Sequence, residues 1–252
     1  MNTFEIITLV LAGFLSGVIK NGVGIGSGIF LLPTLSVAFP AKVALGLGAP
    51  LMLASDIFGL FYYWKEWASV REIRRILLSA IPGLLLGTVM LSVIPARLFA
   101  LGVGLFGMTY ALCMLWPLFP PLAWLKKIPA YFKKHQSDKE IYFYGALGGF
   151  ASVIAHAGGL VWSLYFLSRI PDKRIFVGTI VILFFITNIY KTCAYVYIGT
   201  LSIDSLIAIL PAIPAVLMGS YLGNIANKKM NNVLFKRVVF CMIFLTSLKM
   251  CV

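Results

Sequence analysis

Charge is what this sequence has least of. Asp, Glu, Lys and Arg make up only 12% of its 252 residues, where a soluble domain carries about a quarter. With 61% hydrophobic residues and a mean hydropathy of +0.98, no soluble core could hide this much apolar surface behind so little charge. Lipid is the expected solvent. Acids are scarcest, 8 against 21 Lys and Arg. The resulting net charge of +13 would suit a nucleic acid, but the charges fall in short loops between apolar runs. That is a topology signal rather than a phosphate-binding face, so no nucleic-acid partner is expected. Only two histidines occur and no HExxH, so no metal site is expected. The four cysteines, Cys113, Cys193, Cys241 and Cys251, form no CxxC and read as small buried hydrophobes. No paired-carboxylate or nucleophile–base set is recognisable, which argues against an enzyme and predicts no cofactor. The first apolar run opens with Glu5 and leads into glycines, without the small-residue cleavage site of a signal peptide.

What the sequence has in abundance is apolar runs, near 4–19, 22–39, 43–64, 76–94, 98–119, 141–168, 175–198, 203–224 and 234–248. About 20 apolar residues cross the ~30 Å hydrocarbon layer as a helix, and most of these runs suffice. Two are interrupted. Lys20-Asn21-Gly22-Val23-Gly24-Ile25-Gly26-Ser27-Gly28 joins the first pair, and Ala155-His156-Ala157-Gly158-Gly159 breaks 141–168.

These interruptions belong to an internal repeat. Ala80-Ile81-Pro82 with Gly87 recurs 132 residues later as Ala212-Ile213-Pro214 with Gly219, and the same shift takes Asp56 to Asn188 and Gly46 to Gly178. A shift of 136 takes Gly13-Phe14 to Gly149-Phe150 and Lys20 to His156. The halves are 1–118 and 139–252, joined by a basic linker over 119–138, with Lys126, Lys127, Lys133 and Lys134 and with Lys139 at its end. Duplicated halves with interruptions at matching positions mark transporter binding sites.

Loop charge chooses between the two ways of threading these halves. If each interrupted segment crosses the membrane once, giving eight spans, the basic loop residues divide ten against nine and no orientation results. If each is a re-entrant hairpin, Lys65, Arg71, Arg74, Arg75, the five linker lysines, Arg169, Lys173, Arg174, Lys228, Lys229, Lys236 and Arg237 share one side. Only Lys42, Arg97 and Lys249 remain opposite, sixteen against three. That asymmetry is the one expected of a membrane topology. The expected fold is therefore an all-α polytopic membrane protein of two inverted repeats. Each repeat is a glycine-rich broken or re-entrant hairpin plus three transmembrane helices, with the linker cytoplasmic and both termini outside.

Four ionisable residues, Lys20, Asp56, His156 and Lys191, fall inside apolar runs, where charge is costly and usually functional. Lys20 opens the first glycine-rich tip. Beside it, Asn21, Gly22, Gly24 and Gly26 can present backbone N–H groups, and a half-helix starting there points its positive end at the tip. Together these make a candidate anion site, although alternate glycines also serve close helix packing. His156, with Gly158 and Gly159, holds the equivalent place in the second tip and is a candidate anion ligand or proton carrier, or else a neutral histidine bonded to a carbonyl. Asp56 matches Asn188, and Lys191 follows one turn later on the same face. Asp56 and Lys191 are expected to pair across the pseudo-symmetry axis, for structure, coupling or gating. Phe61-Tyr62-Tyr63-Trp64 with Trp67 reads as an interfacial belt. Glu72 and Asp204 are expected to cap helices, and Pro82 and Pro214 to kink spans.

Several of these stretches resemble the sulfite exporter TauE/SafE family, also called TSUP permeases. The first half offers Gly17-x-x-Lys20-x-Gly22-x-Gly24-x-Gly26, Leu32-Pro33 and Asp56-Ile57-Phe58. The second offers Gly149-Phe150-Ala151-Ser152, Ala155-His156-Ala157-Gly158-Gly159, Leu164-Tyr165, Phe176-Val177-Gly178-Thr179, Asn188 and Lys191. Where family members often carry further prolines or glycines, Leu160-Val161-Trp162 follows here, and Trp162 would narrow or reshape the site. The resemblance implies a bacterial inner-membrane permease, in the lipid bilayer, for small sulfur-containing anions such as sulfite or organosulfonates. The expected function is a secondary transporter of these or of thiosulfate, with protons, through Asp56, His156 or Lys191, as the candidate coupling ion. The alternatives are an anion channel, or a permease for another small carboxylate or sulfonate, or for a metal ion.

Overall fold

Helix starts in this chain are marked by short polar side chains. Asn2 and Glu5 form a reciprocal capping box, each side chain accepting from the other's backbone N–H at 2.8 Å. This opens α1 (Thr3–Val23). A computed structural model describes residues 2–23, 27–115, 140–166, 169–170, 172–229, 241, 243–245 and 247–251. The linker 119–138 and the tip glycines Gly24 and Gly26 lie outside the described residues. The chain continues with α2 (Ser27–Leu35), α3 (Ala41–Tyr62), α4 (Val70–Val93) and α5 (Ala96–Leu115). Beyond the linker come α6 (Glu140–Ala155), α7 (Gly158–Phe166), α8 (Lys173–Tyr197), the short α9 (Ile203–Ala208) and α10 (Ile213–Lys229). No strand occurs among the described residues.

Among the described residues, six helical stretches are long and apolar enough to cross a membrane: Thr3–Gly22, Ala41–Tyr62, Val70–Val93, Ala96–Cys113, Arg174–Tyr197 and Ile203–Ile225. Their outer faces are as apolar as their inner ones. On α4, for example, Leu78, Leu85, Val89 and Val93 are exposed while Ile76, Ala80 and Leu84 are buried. This is the surface of a multi-pass membrane protein.

Three details differ from the sequence-based expectations. Ser69 and Ser202 are the caps, accepting from the backbone N–H of Glu72 and Ser205, so Glu72 and Asp204 sit in the first turns instead. Pro82 lies inside an unbroken α4, whereas the helix ahead of Pro214 tightens into a 3₁₀ turn over Leu210–Ala212. Cys113, Cys193 and Cys241 are exposed and Cys251 half-buried, all as free thiols. Hydropathy cannot separate a lipid-facing side chain from a core one, which is why burial was the wrong expectation for them.

Packing in one half repeats in the other. The most extensive helix pairs are α1 with α10 and α4 with α6, and α3 with α8 follows. Alignment of contacts gives direction. Gly13 faces Val216, Gly17 faces Val216 and Ser220, and Gly22 faces Gly223, so α1 and α10 run parallel. Gly145 against Ser79, Gly149 against Ala80 and Leu84, and Gly87 against Val153 make α4 and α6 parallel in the same way. In contrast, Gly46 meets Thr200 and Leu201, Asp56 meets Asn188, Gly59 meets Val181, and Gly178 meets Glu66. The index rises in α3 as it falls in α8, so this central pair is antiparallel. Asp56 and Asn188, matched by the repeat, are its crossing point.

The α6–α7 segment folds back on itself. Gly158 packs on Ser152, Trp162 on Gly148, and Tyr165 on Tyr144 with ring centroids 5.9 Å apart. Glu140, at the start of α6, lies 3.8 Å from Arg169, just past α7. Entry and exit are therefore at the same end of the molecule. At that end, with the residue following the linker, lie Glu66 and Arg174, which are ion-paired. At the other end Lys42 donates to Leu91 O and Lys249 to Val37 O.

Candidate functional site

The centre of the molecule is where the second hairpin tip meets α1, α2, α3 and α8. His156 terminates α6 with a φ of +52°, a left-handed conformation that ends a helix but is uncommon for a side-chain-bearing residue. The chain reverses through Ala157 and starts α7 at Gly158. A Cβ at Gly28 would collide with the His156 backbone and Cβ, and one at Gly48 would lie 2.7 Å from His156 Nε2. Two glycines from the first half therefore make room for the second tip.

All four ionisable candidates are buried: Lys20 3% exposed, His156 2%, Asp56 and Lys191 0%. They form two linked pairs. Lys20, in the last turn of α1, ion-pairs with Asp56 and donates to Met52 O at 3.2 Å. The other Asp56 oxygen accepts from Asn188 Nδ2 at 2.5 Å, and Asn188 Oδ1 has no hydrogen-bond partner among the described residues. Lys191 Nζ lies 2.9 Å from His156 Nδ1, and His156 Nε2 lies 3.0 Å from Leu45 O. A carbonyl only accepts, so Nε2 carries the proton and Nδ1 is free to accept from the Lys191 ammonium. In this arrangement His156 is neutral.

The expected Asp56–Lys191 pairing is not what the structure shows. Asp56 takes its cation from α1, and Lys191 turns to the hairpin tip. Both carboxylate oxygens of Asp56 are already taken, one by Lys20 from the last turn of α1 and the other by Asn188. Asn21 donates to Gly17 O and Ser55 Oγ, both at 3.3 Å, and Ser55 contacts Ser220 at 3.0 Å. Gly22 packs close to Gly223 of α10. Gly158 packs on Gly148 and Ser152, and Gly159 on the Phe184 ring. The structure thus brings Lys20, Asp56, Asn188, His156 and Lys191 into one buried centre, with Gly158 and Gly159 at its edge. Asn21 and Gly22 sit on its α10 side. Among the described residues no cluster of three His, Cys, Asp or Glu could hold a metal.

Phe184 is the member that sequence reasoning missed. Its ring lies 5.1 Å from Lys20 Nζ and 5.9 Å from the Trp162 ring, so it stands between the first tip's cation and the second tip's helix start. The available signal was spacing: Phe184, Asn188, Lys191 and Tyr195 fall on one face of α8. Tyr195, also overlooked, donates to Val153 O at 2.6 Å and braces the hairpin beside His156.

A family model described as "Sulfite exporter TauE/SafE" matches residues 9–250. No curated protein and no solved structure matches the chain.

Proposed function

The chain belongs to the sulfite exporter TauE/SafE family, whose members move sulfur anions across membranes, and from that premise we propose a proton-linked secondary transporter of sulfite, thiosulfate or small organosulfonates. The observation that carries this reading is a basic group in the buried centre with no carboxylate partner. Lys20 has Asp56 as its counter-ion, whereas Lys191 has only a neutral imidazole nitrogen. A buried ammonium without a counter-ion is costly, and a small anion supplies what is missing. Substrate would be held by Lys191 and Lys20, with the second amide hydrogen of Asn188 able to donate and His156 donating from Nδ1 only once it has taken a proton. Backbone N–H groups of Gly158 and Gly159, at the open start of α7, would complete the site.

The same electrostatics support proton linkage. A charged Lys191 binds an anion far better than a neutral one, so gain and loss of its proton would tie binding and release to the proton gradient. His156 Nδ1 accepts from Lys191 and is the natural next stop for its proton. Asp56 and the Lys20 pair would set the gate. The antiparallel α3–α8 crossing and the folded-back α6–α7 segment support two inverted repeats, 1–118 and 139–252. The sixteen-to-three distribution of loop charge supports a cytoplasmic linker and outside termini in a bacterial inner membrane.

Reconstituted protein tests the proposal directly. Sulfite uptake into proteoliposomes should saturate and rise with an imposed proton gradient. Lys191→Met should lower it roughly 10–100-fold, the worth of one charged hydrogen bond, while the protein stays folded. Flux that never saturates and ignores the gradient would make this a channel; unchanged flux in Lys191→Met would remove Lys191 from the site.

A further inference from the structure

We propose that the linker end of the molecule carries a second oxyanion site, a vestibule in which Arg71, Arg75 and Arg169 capture the sulfur anion before it reaches the buried centre. This rests on the transport reading above and extends it to a loading step and a side. The observation is a cavity of about 340 Å³ lined by Ser69, Arg71, Glu72, Arg75, Ile141, Tyr165 and Arg169. That volume equals on the order of ten waters at ~30 Å³ each, room for a small oxyanion with part of its hydration shell.

Its walls come from three elements that the fold brings together: the first turns of α4, the start of α6 and the end of α7. Ile141 and Tyr165 are buried and fix the floor. The Arg169 guanidinium lies over the Tyr165 ring at 4.0 Å and reaches Glu140 at 3.8 Å, which holds its planar fork in place.

Positive-inside topology alone would put basic residues at this end, but it does not distinguish arginine from lysine. The five basic residues in and just after the linker are all lysines, whereas all three lining the cavity are arginines. Only the guanidinium fork binds an oxyanion through two parallel hydrogen bonds. The repeat supplies an internal control. Subtracting or adding the 132-residue shift takes Arg71 to Ile203, Arg75 to Ile207 and Arg169 to Val37. The three matching positions at the opposite end are aliphatic, and the basic group beside them, Lys249 donating to Val37 O, is a lysine and not an arginine.

The path inward that this proposal needs runs along α7. Tyr165 is seven residues along α7 from Gly158, about 10 Å at 1.5 Å per residue. Between them, Trp162 Nε1 and Ser163 Oγ are buried without a hydrogen-bond partner among the described residues, as is Ser152 Oγ on the facing helix. Buried donors left unpaired are costly. Where α6 and α7 part, they would offer hydrogen bonds to an oxyanion moving from the vestibule to the tip.

The test uses the full chain in proteoliposomes of known orientation, with sulfite presented to one face at a time. In Arg71→Gln/Arg75→Gln, KM from the linker face should rise roughly 10–100-fold, the loss of one to two charged contacts. Vmax from the linker face and the KM from the opposite face should not change, and detailed balance then requires Vmax from the opposite face to fall by the same factor. Arg71→Lys/Arg75→Lys, which keeps the charge but not the fork, should recover only part of the affinity. A KM unchanged from the linker face, or raised equally from both, overturns the vestibule. Thiosulfate binding to the solubilised protein separates the two readings. If wild type binds but does not transport, the transport proposal fails, and the vestibule stands only if the Arg double variant loses binding that Lys191→Met retains.

Discussion

At the residue scale, the main fact is that four ionisable side chains are fully enclosed and arranged as two pairs, one ionic and one neutral-acceptor. Removing either member of the ionic pair leaves the other charged and buried. Lys20→Met or Asp56→Asn should each cost about 3–5 kcal/mol, whereas replacing both together should cost much less than the sum. Thermal unfolding of the three variants in lipid reads this as a cycle. Additive losses would show that Lys20 and Asp56 do not depend on each other. The candidates themselves were legible because an ionisable residue in an apolar run stands out by type. Their partners were not. Composition says which residues share a helix, but the rotation of that helix about its axis decides what they touch. A helix apolar on every face carries no signal of that rotation, so Lys191 was matched with Asp56 by symmetry when Asn188 already filled the position. Phe184 was hidden for a related reason: one phenylalanine among 19 is unremarkable until its ring is found beside Lys20.

At the scale of elements, two kinds of joint hold the molecule together. One is the glycine-lined parallel pair. A Cβ at Gly17 would lie 2.5 Å from Val216 O, and one at Gly219 or Gly83 would overlap the carbonyls of Phe14 and Ala146. Here backbone meets backbone, and no side-chain rotation relieves the clash. Gly219→Ile should therefore prevent the α1–α10 pair from closing and abolish the monodisperse folded species on size exclusion. Gly102→Ala is the matched control, with nothing within 4 Å of the added Cβ. It should be neutral or stabilise the protein by about 0.5–1 kcal/mol through helix propensity. Equal behaviour of the two variants would mean that the close approach has no energetic consequence. The other joint is the hairpin tip, where His156 adopts a conformation most residues avoid. The glycines flanking the tip were legible as a break in an apolar run. That His156 itself makes the turn was not, because histidine is no turn signal; it is placed there by Leu45 O and Lys191, both distant in sequence.

At the scale of the whole molecule, all six membrane-length stretches were readable from hydropathy, but hydropathy alone left the threading undecided between eight crossings and two hairpins. Charge in the loops broke that tie, and the contacts now give an independent argument. Crossing once at each interruption would make α3 and α8 point the same way. In a hairpin arrangement they point oppositely, and the order of contacts from Gly46 with Thr200 to Gly178 with Glu66 is antiparallel. The hairpin's two feet supply a decisive experiment. Glu140 precedes the second interruption and Asp172 follows it, capping α8. In a background with the four native cysteines replaced, Glu140→Cys and Asp172→Cys should both react with a membrane-impermeant maleimide only after the cytoplasmic face is opened. Asn2→Cys, at the start of α1, should react in intact cells. Labelling of positions 140 and 172 from opposite faces would restore the eight-span threading and remove the inverted repeat. Labelling of both from outside would keep the hairpin, reverse the orientation, and turn the arginine vestibule into a receiver of external anions.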